Sequence, residues 1–232
     1  MIKEIIRAIP VVGDAIAELY WKMRSRPNTS RPFAGSKAYW EQRYQGGGDS
    51  GVGSYGKFAD FKAEVLNAFV AEKRIDSVIE FGCGDGNQLT LAKYPSYLGF
   101  DVSERAVASC RERFSTDGAK SFRLMTDYAG ERADLALSLD VIYHLVEDEI
   151  FDAYMRTLFD AANRFVIIYA SNTDDNREYE GTHVKHRKFT PWITRYAPNW
   201  AMAGHLPNKF PYRGDYREGS FADFFIFSRD PK

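Results

Sequence analysis

The run Val78-Ile79-Glu80-Phe81-Gly82-Cys83-Gly84-Asp85-Gly86-Asn87 constrains the fold more than any other part of this 232-residue chain. An apolar strand ends beside an acid and then turns through three glycines toward a helix. Glycine permits the left-handed turn and lets the backbone approach a ligand where a β-carbon would collide. A turn of this kind belongs at the carboxyl end of a strand in a doubly wound α/β sheet, where ligands collect.

The sequence around it alternates as such a sheet requires. Strands are expected at 77–81, 97–101, 122–125, 133–140 and 165–170, with helices at 87–93, 104–114 and 148–162 between them. This succession predicts a mostly parallel sheet covered on both faces. In the tail, 200–203 and 222–228 read as further strands, the second antiparallel. Upstream, helices are expected at 36–44 and 58–72, the latter through Phe58, Phe61, Val65, Leu66 and Phe69. The segment from Gly46 to Gly56 is too rich in glycine for regular structure and reads as a mobile lid.

Spacing separates two classes of glycine turn. A dinucleotide fingerprint starting at Gly82 requires glycine at position 87, which is Asn87. The chain instead reads E-x-G-x-G-x-G from Glu80. This pattern resembles motif I of the class I S-adenosylmethionine (SAM)-dependent methyltransferases, and the resemblance spans about residues 76–170. It implies a Rossmann-like fold and SAM as cofactor, held by Glu80, Gly82, Gly84 and Gly86. Asp101, twenty-one positions after Glu80, closes the second strand, where a carboxylate accepts both ribose hydroxyls. Asp127 and Tyr128 follow the third strand, where the family commonly offers an acid to the adenine amino group and a backbone N–H to the ring. Tyr39-Trp40-Glu41-Gln42-Arg43-Tyr44 looks like the helix preceding the domain in many members, and Arg43 or Tyr39 there reaches the methionine carboxylate.

Transfer of a methyl group from a sulfonium is an in-line displacement, so the protein chiefly aligns the acceptor. A hydroxyl acceptor needs a base as the new bond forms. The fourth strand delivers Asp140-Val141-Ile142-Tyr143-His144 to the expected methyl position. His144 is the candidate base. Asp140 is counted with the cofactor contacts, and Asp140 or Asp148 are candidates for orienting the imidazole. A histidine that merely caps the next segment is the competing reading.

Residues 171–217 read as an acceptor-side insertion, with Trp192, Tyr196, Trp200, His205 and Tyr212 among charged groups. Aromatic rings pack on the apolar faces of sugars while polar groups read the hydroxyls. A looser resemblance to bacterial enzymes of polysaccharide or glycolipid synthesis points the same way. The expected activity is therefore O-methylation of a carbohydrate or glycoconjugate. Another small metabolite as acceptor, or a noncatalytic SAM-binding sensor or scaffold, are the alternatives. His183 and His186 beside Asp174 and Asp175 raise a divalent metal such as magnesium, with Asp140 or Asp174 as conceivable ligands. Lys185, Arg187 and Lys188 oppose it, and no metal site is assigned.

The predicted organisation is an extension with the lid over 1–57 and a methyltransferase domain over 58–232. Ile2, Ile5, Ile6 and Ile9 share a helical face in residues 1–24, and up to Arg31 there are six Lys or Arg against three Asp or Glu. That helix fits peripheral membrane contact, its own domain, or a second subunit in a homo-oligomer. No apolar run approaches the roughly 20 residues a bilayer span needs. A net charge of −1 gives no basic field for nucleic acid. Two cysteines, Cys83 and Cys110, make no disulfide framework, which fits a cytoplasmic protein.

Overall fold

The computed structural model describes residues 33–177 and 182–229. The expected helix and membrane contact of residues 1–24 lie outside them. Gly35–Lys232 form one compact unit. It opens with helix α1 (Ser36–Gln45), the glycine segment and helix α2 (Gly56–Lys73). The sheet follows as β1 (Val78–Phe81), β2 (Tyr97–Asp101), β3 (Lys120–Leu124), β4 (Ala133–Leu139) and β5 (Ala162–Ala170). Helix α3 (Glu104–Arg113) connects β2 to β3, and α4 (Asp148–Asp160) connects β4 to β5. Helix α5 (Thr190–Tyr196) precedes the closing pair β6 (Trp200–Leu206) and β7 (Asp223–Arg229).

The seven strands lie in the order β3-β2-β1-β4-β5-β7-β6. β1 to β5 run parallel, and β7 enters antiparallel between β5 and β6. Chain order reverses between β1 and β4, leaving a crevice beyond their carboxyl ends. This is the Rossmann-like doubly wound fold of the class I methyltransferases. The central strands are apolar on both sides because both faces are covered: all four residues of β1 are buried, as are six of seven in β4. One core layer joins the sheet to Phe151, Met155, Leu158 and Phe159 of α4 and Ile193 of α5. The other joins it to Leu66, Phe69 and Val70 of α2 and Val107 and Cys110 of α3.

Three expectations shift. The helix expected at 87–93 is only a short 3₁₀ turn, Gln88–Leu91. Pro95 follows closely and disfavours helical backbone at the residue before it. The glycine segment carries a 3₁₀ turn at Val52–Ser54, despite its composition. The stretch 171–217 contains α5 and β6, so much of it completes the sheet.

The antiparallel tail is fixed to the parallel half by aromatic packing. The Phe159 ring meets Trp200 at 5.4 Å and Phe227 at 5.7 Å. Phe159→Ala removes this contact from a site 2% exposed. It should lower unfolding free energy by roughly 3–5 kcal/mol, read as a shifted urea midpoint.

Candidate active site

A cavity of about 960 Å³, counting the solvent space at its open mouth, occupies the crevice beyond β1, β2 and β4. Its floor is the glycine turn. Gly82 and Gly84 have φ of +88° and +58°. A β-carbon on Gly82 would stand 2.5 Å from Cγ2 of Val141, and one on Gly84 would come 2.3 Å from Oγ of Ser50. Gly86, with φ of +74°, turns the chain away against Cys110 and Phe114.

The turn and the end of β2 are joined directly. Gly84 N–H donates to Oδ2 of Asp101 at 2.9 Å, and Ser103 N–H donates to Oδ1 at 2.9 Å. Asp101 lines the cavity and is 7% exposed. Burial raises its pKa, although those backbone donors pull it back. Each oxygen retains acceptor capacity for a ligand. Glu80, at the end of β1, takes the Tyr97 hydroxyl at 2.6 Å, and burial pushes its pKa up to about 7.

Asp140 follows β4 with φ of +59°, a conformation that costs a non-glycine residue about 1–2 kcal/mol. Strong contacts hold it there. Lys62 Nζ donates to Oδ2 at 2.7 Å, the Tyr143 hydroxyl to Oδ1 at 2.7 Å, and its own N–H to the Tyr169 carbonyl at 2.9 Å.

His144 also lines the cavity, at the end of the 3₁₀ turn Ile142–His144. Its Nδ1 donates to the His183 carbonyl at 3.1 Å, which leaves Nε2 as the acceptor. Its ring stacks on His183 with centroids 5.2 Å apart, and His183 stacks on Tyr39 at 4.2 Å. Trp40 meets His144 edge-on at 4.9 Å. Burial, then the neighbouring His183, depress the His144 pKa to about 3, and burial lowers that of His183 to about 4. Both rings are neutral near neutral pH. The expected orienting carboxylates are not its partners. Asp140 is occupied by Lys62 and Tyr143, and Asp148 pairs with Lys185 and Arg187 at 2.7 Å each. The His183 backbone orients the ring instead.

Other expected residues sit further out. Asp127 is exposed, two residues beyond the cavity-lining Met125. The Tyr128 ring packs on Phe81 and Phe100, and its N–H reaches the Met125 carbonyl at 3.3 Å. Arg43 donates from Nε to the Asp49 carbonyl at 2.6 Å and from Nη2 to its carboxylate at 3.1 Å, and neither Arg43 nor Tyr39 lines the cavity. Trp192 donates to Asp152, Trp200 is buried and His205 stacks on Phe225, all away from the lining. His186 bonds Ser171, Asp174 accepts Lys188 N–H and Asp175 pairs with Arg177. Among the described residues no three His, Cys, Asp or Glu gather as metal ligands.

The cavity also takes residues to which the sequence alone assigns no site role: Trp40, Tyr44, Ser50, Lys62, Gln88 and Tyr154. Lys62 had a signal. It lies four residues from both Phe58 and Leu66, on the apolar face of α2, where an unpaired charge is costly.

The glycine segment closes over the turn. Asp85 accepts Ser50 N–H at 3.0 Å, the Tyr55 hydroxyl at 2.6 Å and Asn87 N–H at 2.9 Å, while Asp85 N–H donates to Ser50 Oγ. At the other end, Ser36 N–H and hydroxyl donate to Glu147 at 2.9 and 2.5 Å.

Residues 55–208 match the family model described as a methyltransferase domain. The chain belongs to that family. Among solved structures it resembles the N-methyltransferase NodS from Bradyrhizobium japonicum WM9, in complex with S-adenosyl-L-homocysteine. That match has a TM-score of 0.66 at 13% identity, over 85% of this chain and 100% of that one. Magnesium protoporphyrin IX methyltransferase from Synechocystis PCC 6803, with the same compound bound, gives 0.60 at 17% identity, over 84% and 98%. The methyltransferase domain of bacterial CtHen1 gives 0.55 at 21% identity, over 72% and 97%. No curated protein matches the chain.

Burial opposes ionisation of Asp85, but the Tyr55 hydroxyl and the backbone donors outweigh it and hold its pKa below the usual value. The tie is therefore present above the ordinary aspartate range near pH 3.9 and is lost only as pH falls through the depressed value. Asp85→Ala should raise hydrogen exchange of the Ser50 amide by roughly 5- to 100-fold. In wild type that amide should stay protected down to pH 5.

Proposed function

We propose that the chain is a SAM-dependent O-methyltransferase whose acceptor is a hydroxyl of a carbohydrate or glycoconjugate. The observation that carries the cofactor assignment is the Gly84–Asp101 hydrogen bond, which brings the glycine turn and the β2 carboxylate to one open cavity. An adenosyl thioether fits this arrangement. Asp101 takes the ribose hydroxyls, Val102 and Met125 flank the adenine, and Asp127 meets its amino group at the rim, with the Tyr128 N–H beside the ring. Gly82 and Gly84 let the backbone approach without β-carbons. Asp140, and Glu80 in its ionised form, place negative charge near the sulfonium. The bound cofactor supplies an electrophilic methyl group.

His144 faces the acceptor. Its Nδ1–H is committed to His183, so Nε2 is free to take the acceptor proton. A weakly basic imidazole suffices, because the oxygen becomes far more acidic as the new carbon–oxygen bond forms. Trp40 and His144 line the cavity and give a sugar ring surface to pack on, backed by the stacked His183 and Tyr39. The distance of Trp192, Trp200 and His205 from the cavity favours a second reading, in which the acceptor is another small metabolite.

Calorimetry with S-adenosylhomocysteine, paired with mass analysis of a panel of hydroxylated acceptors incubated with the protein and SAM as methyl donor, tests the reading. Binding with a gain of one methyl group is expected, and binding without transfer to any acceptor favours a sensor or scaffold. His144→Ala should lower kcat by about 10²–10⁴-fold and change S-adenosylhomocysteine affinity little. The depressed His144 pKa predicts no acid limb from this residue near pH 6.5. A wild-type limb there that vanishes in His144→Ala contradicts the assignment of a weakly basic ring.

A further inference from the structure

Two buried polar groups in the cavity lack full complements of partners. Gln88 lines it with an amide fixed in one orientation, because Nε2 donates to the Ala59 carbonyl at 3.1 Å. Its Oε1 is buried and accepts no hydrogen bond. Lys62 is one helical turn beyond Ala59, on the same side of α2. Its ammonium is 1% exposed and has three donors. One goes to Asp140 at 2.7 Å, and the Tyr169 ring lies 5.3 Å away. Buried acceptors and ammonium donors left this way call for a ligand or water. Here an unsatisfied acceptor and an under-used cation share one cavity wall. Glu80 belongs to the same neighbourhood, since Lys62 acts on its ionisation.

Resting on the cofactor reading above, we infer that Lys62 and Gln88 form the receptor for the zwitterionic amino-acid head of the cofactor. The α-carboxylate accepts from the Lys62 ammonium, and the α-ammonium donates to Gln88 Oε1, with Glu80 as a second anionic neighbour. Asp101 and Val102 mark the ribose and adenine end of the cavity, so the head falls toward α2 and β4. The resemblance suggested Arg43 or Tyr39 for the carboxylate. Arg43 is instead tied to Asp49; of the two lysines in the lining, Lys37 is 59% exposed and pairs with Glu41, and the buried ammonium is that of Lys62. The hydrogen bond to Asp140 keeps the Lys62 ammonium aimed along the cavity wall. This gives a physical reason for holding Asp140 in a left-handed conformation.

The test compares two compounds by calorimetry: S-adenosylhomocysteine, and 5′-methylthioadenosine, which keeps the adenosyl thioether and lacks the amino-acid head. Wild type should bind the first more tightly by tenfold or more. Lys62→Met and Gln88→Leu should each weaken S-adenosylhomocysteine about tenfold, as expected for a lost charge-assisted or buried hydrogen bond, and leave 5′-methylthioadenosine within about twofold. Lys62→Met leaves Asp140 without its cation, so Lys62→Met with Asp140→Asn provides a charge-balanced partner that should show the same selective loss. Equal weakening of both compounds, or no weakening of either, overturns the inference. So does a selective loss on Arg43→Gln with Lys62→Met unaffected. If wild type binds neither compound, the cofactor reading falls together with this one.

Discussion

One hydrogen bond, from Gly84 N–H to the Asp101 carboxylate, organises the ligand-binding end of this molecule. It joins the turn after β1 to the last residue of β2, so two parallel strands end at a common height. Parallel strands pair with evenly spaced, slanted bonds and gain no hairpin to set their ends. A side-chain carboxylate accepting backbone donors from both neighbouring turns reinforces that alignment here, beside the Gly82 and Cys83 N–H bonds to the Phe100 carbonyl. The cavity is possible because the chain reverses its direction of winding between β1 and β4, leaving no strand connection to fill the gap.

Around that crevice, charge is placed in pairs. Lys62 and Asp140 are mutually compensated, Glu80 is held by Tyr97, and Asp101 by backbone donors. Buried ions without such partners would cost several kcal/mol each. The one imidazole in the lining is kept uncharged by burial and its histidine neighbour. The site thus offers fixed negative charge, one fixed ammonium and one neutral acceptor, a set suited to a cationic, polar cofactor.

Much of the scaffold was legible because its signals are local. The E-x-G-x-G-x-G turn, the alternation of apolar strands with helices, and Asp101 at its spacing all follow from backbone geometry acting over short distances. The truncated 88–91 turn was legible in principle from Pro95. The functional wall was harder. Lys62, Gln88 and Ser50 meet the glycine turn only through tertiary contacts, and their positions depend on how α2 and the glycine segment fold back. The aromatics of 171–217 misled for a related reason: aromatic composition fits a sugar surface and a sheet edge equally well, and Trp200 and His205 belong to the edge strand. Of that stretch His183 is the ring stacked against His144.

The attachment of the glycine segment to Asp85 gives the binding loop a second duty. The same turn that floors the cavity also clasps the glycine segment, through Ser50 and Tyr55. Lifting the glycine segment off the cavity therefore requires that clasp to let go, at an energetic cost separate from bond making at the methyl carbon. If the proposed cofactor leaves by way of that segment, the unfastening sets the pace under saturating conditions wherever chemistry is faster.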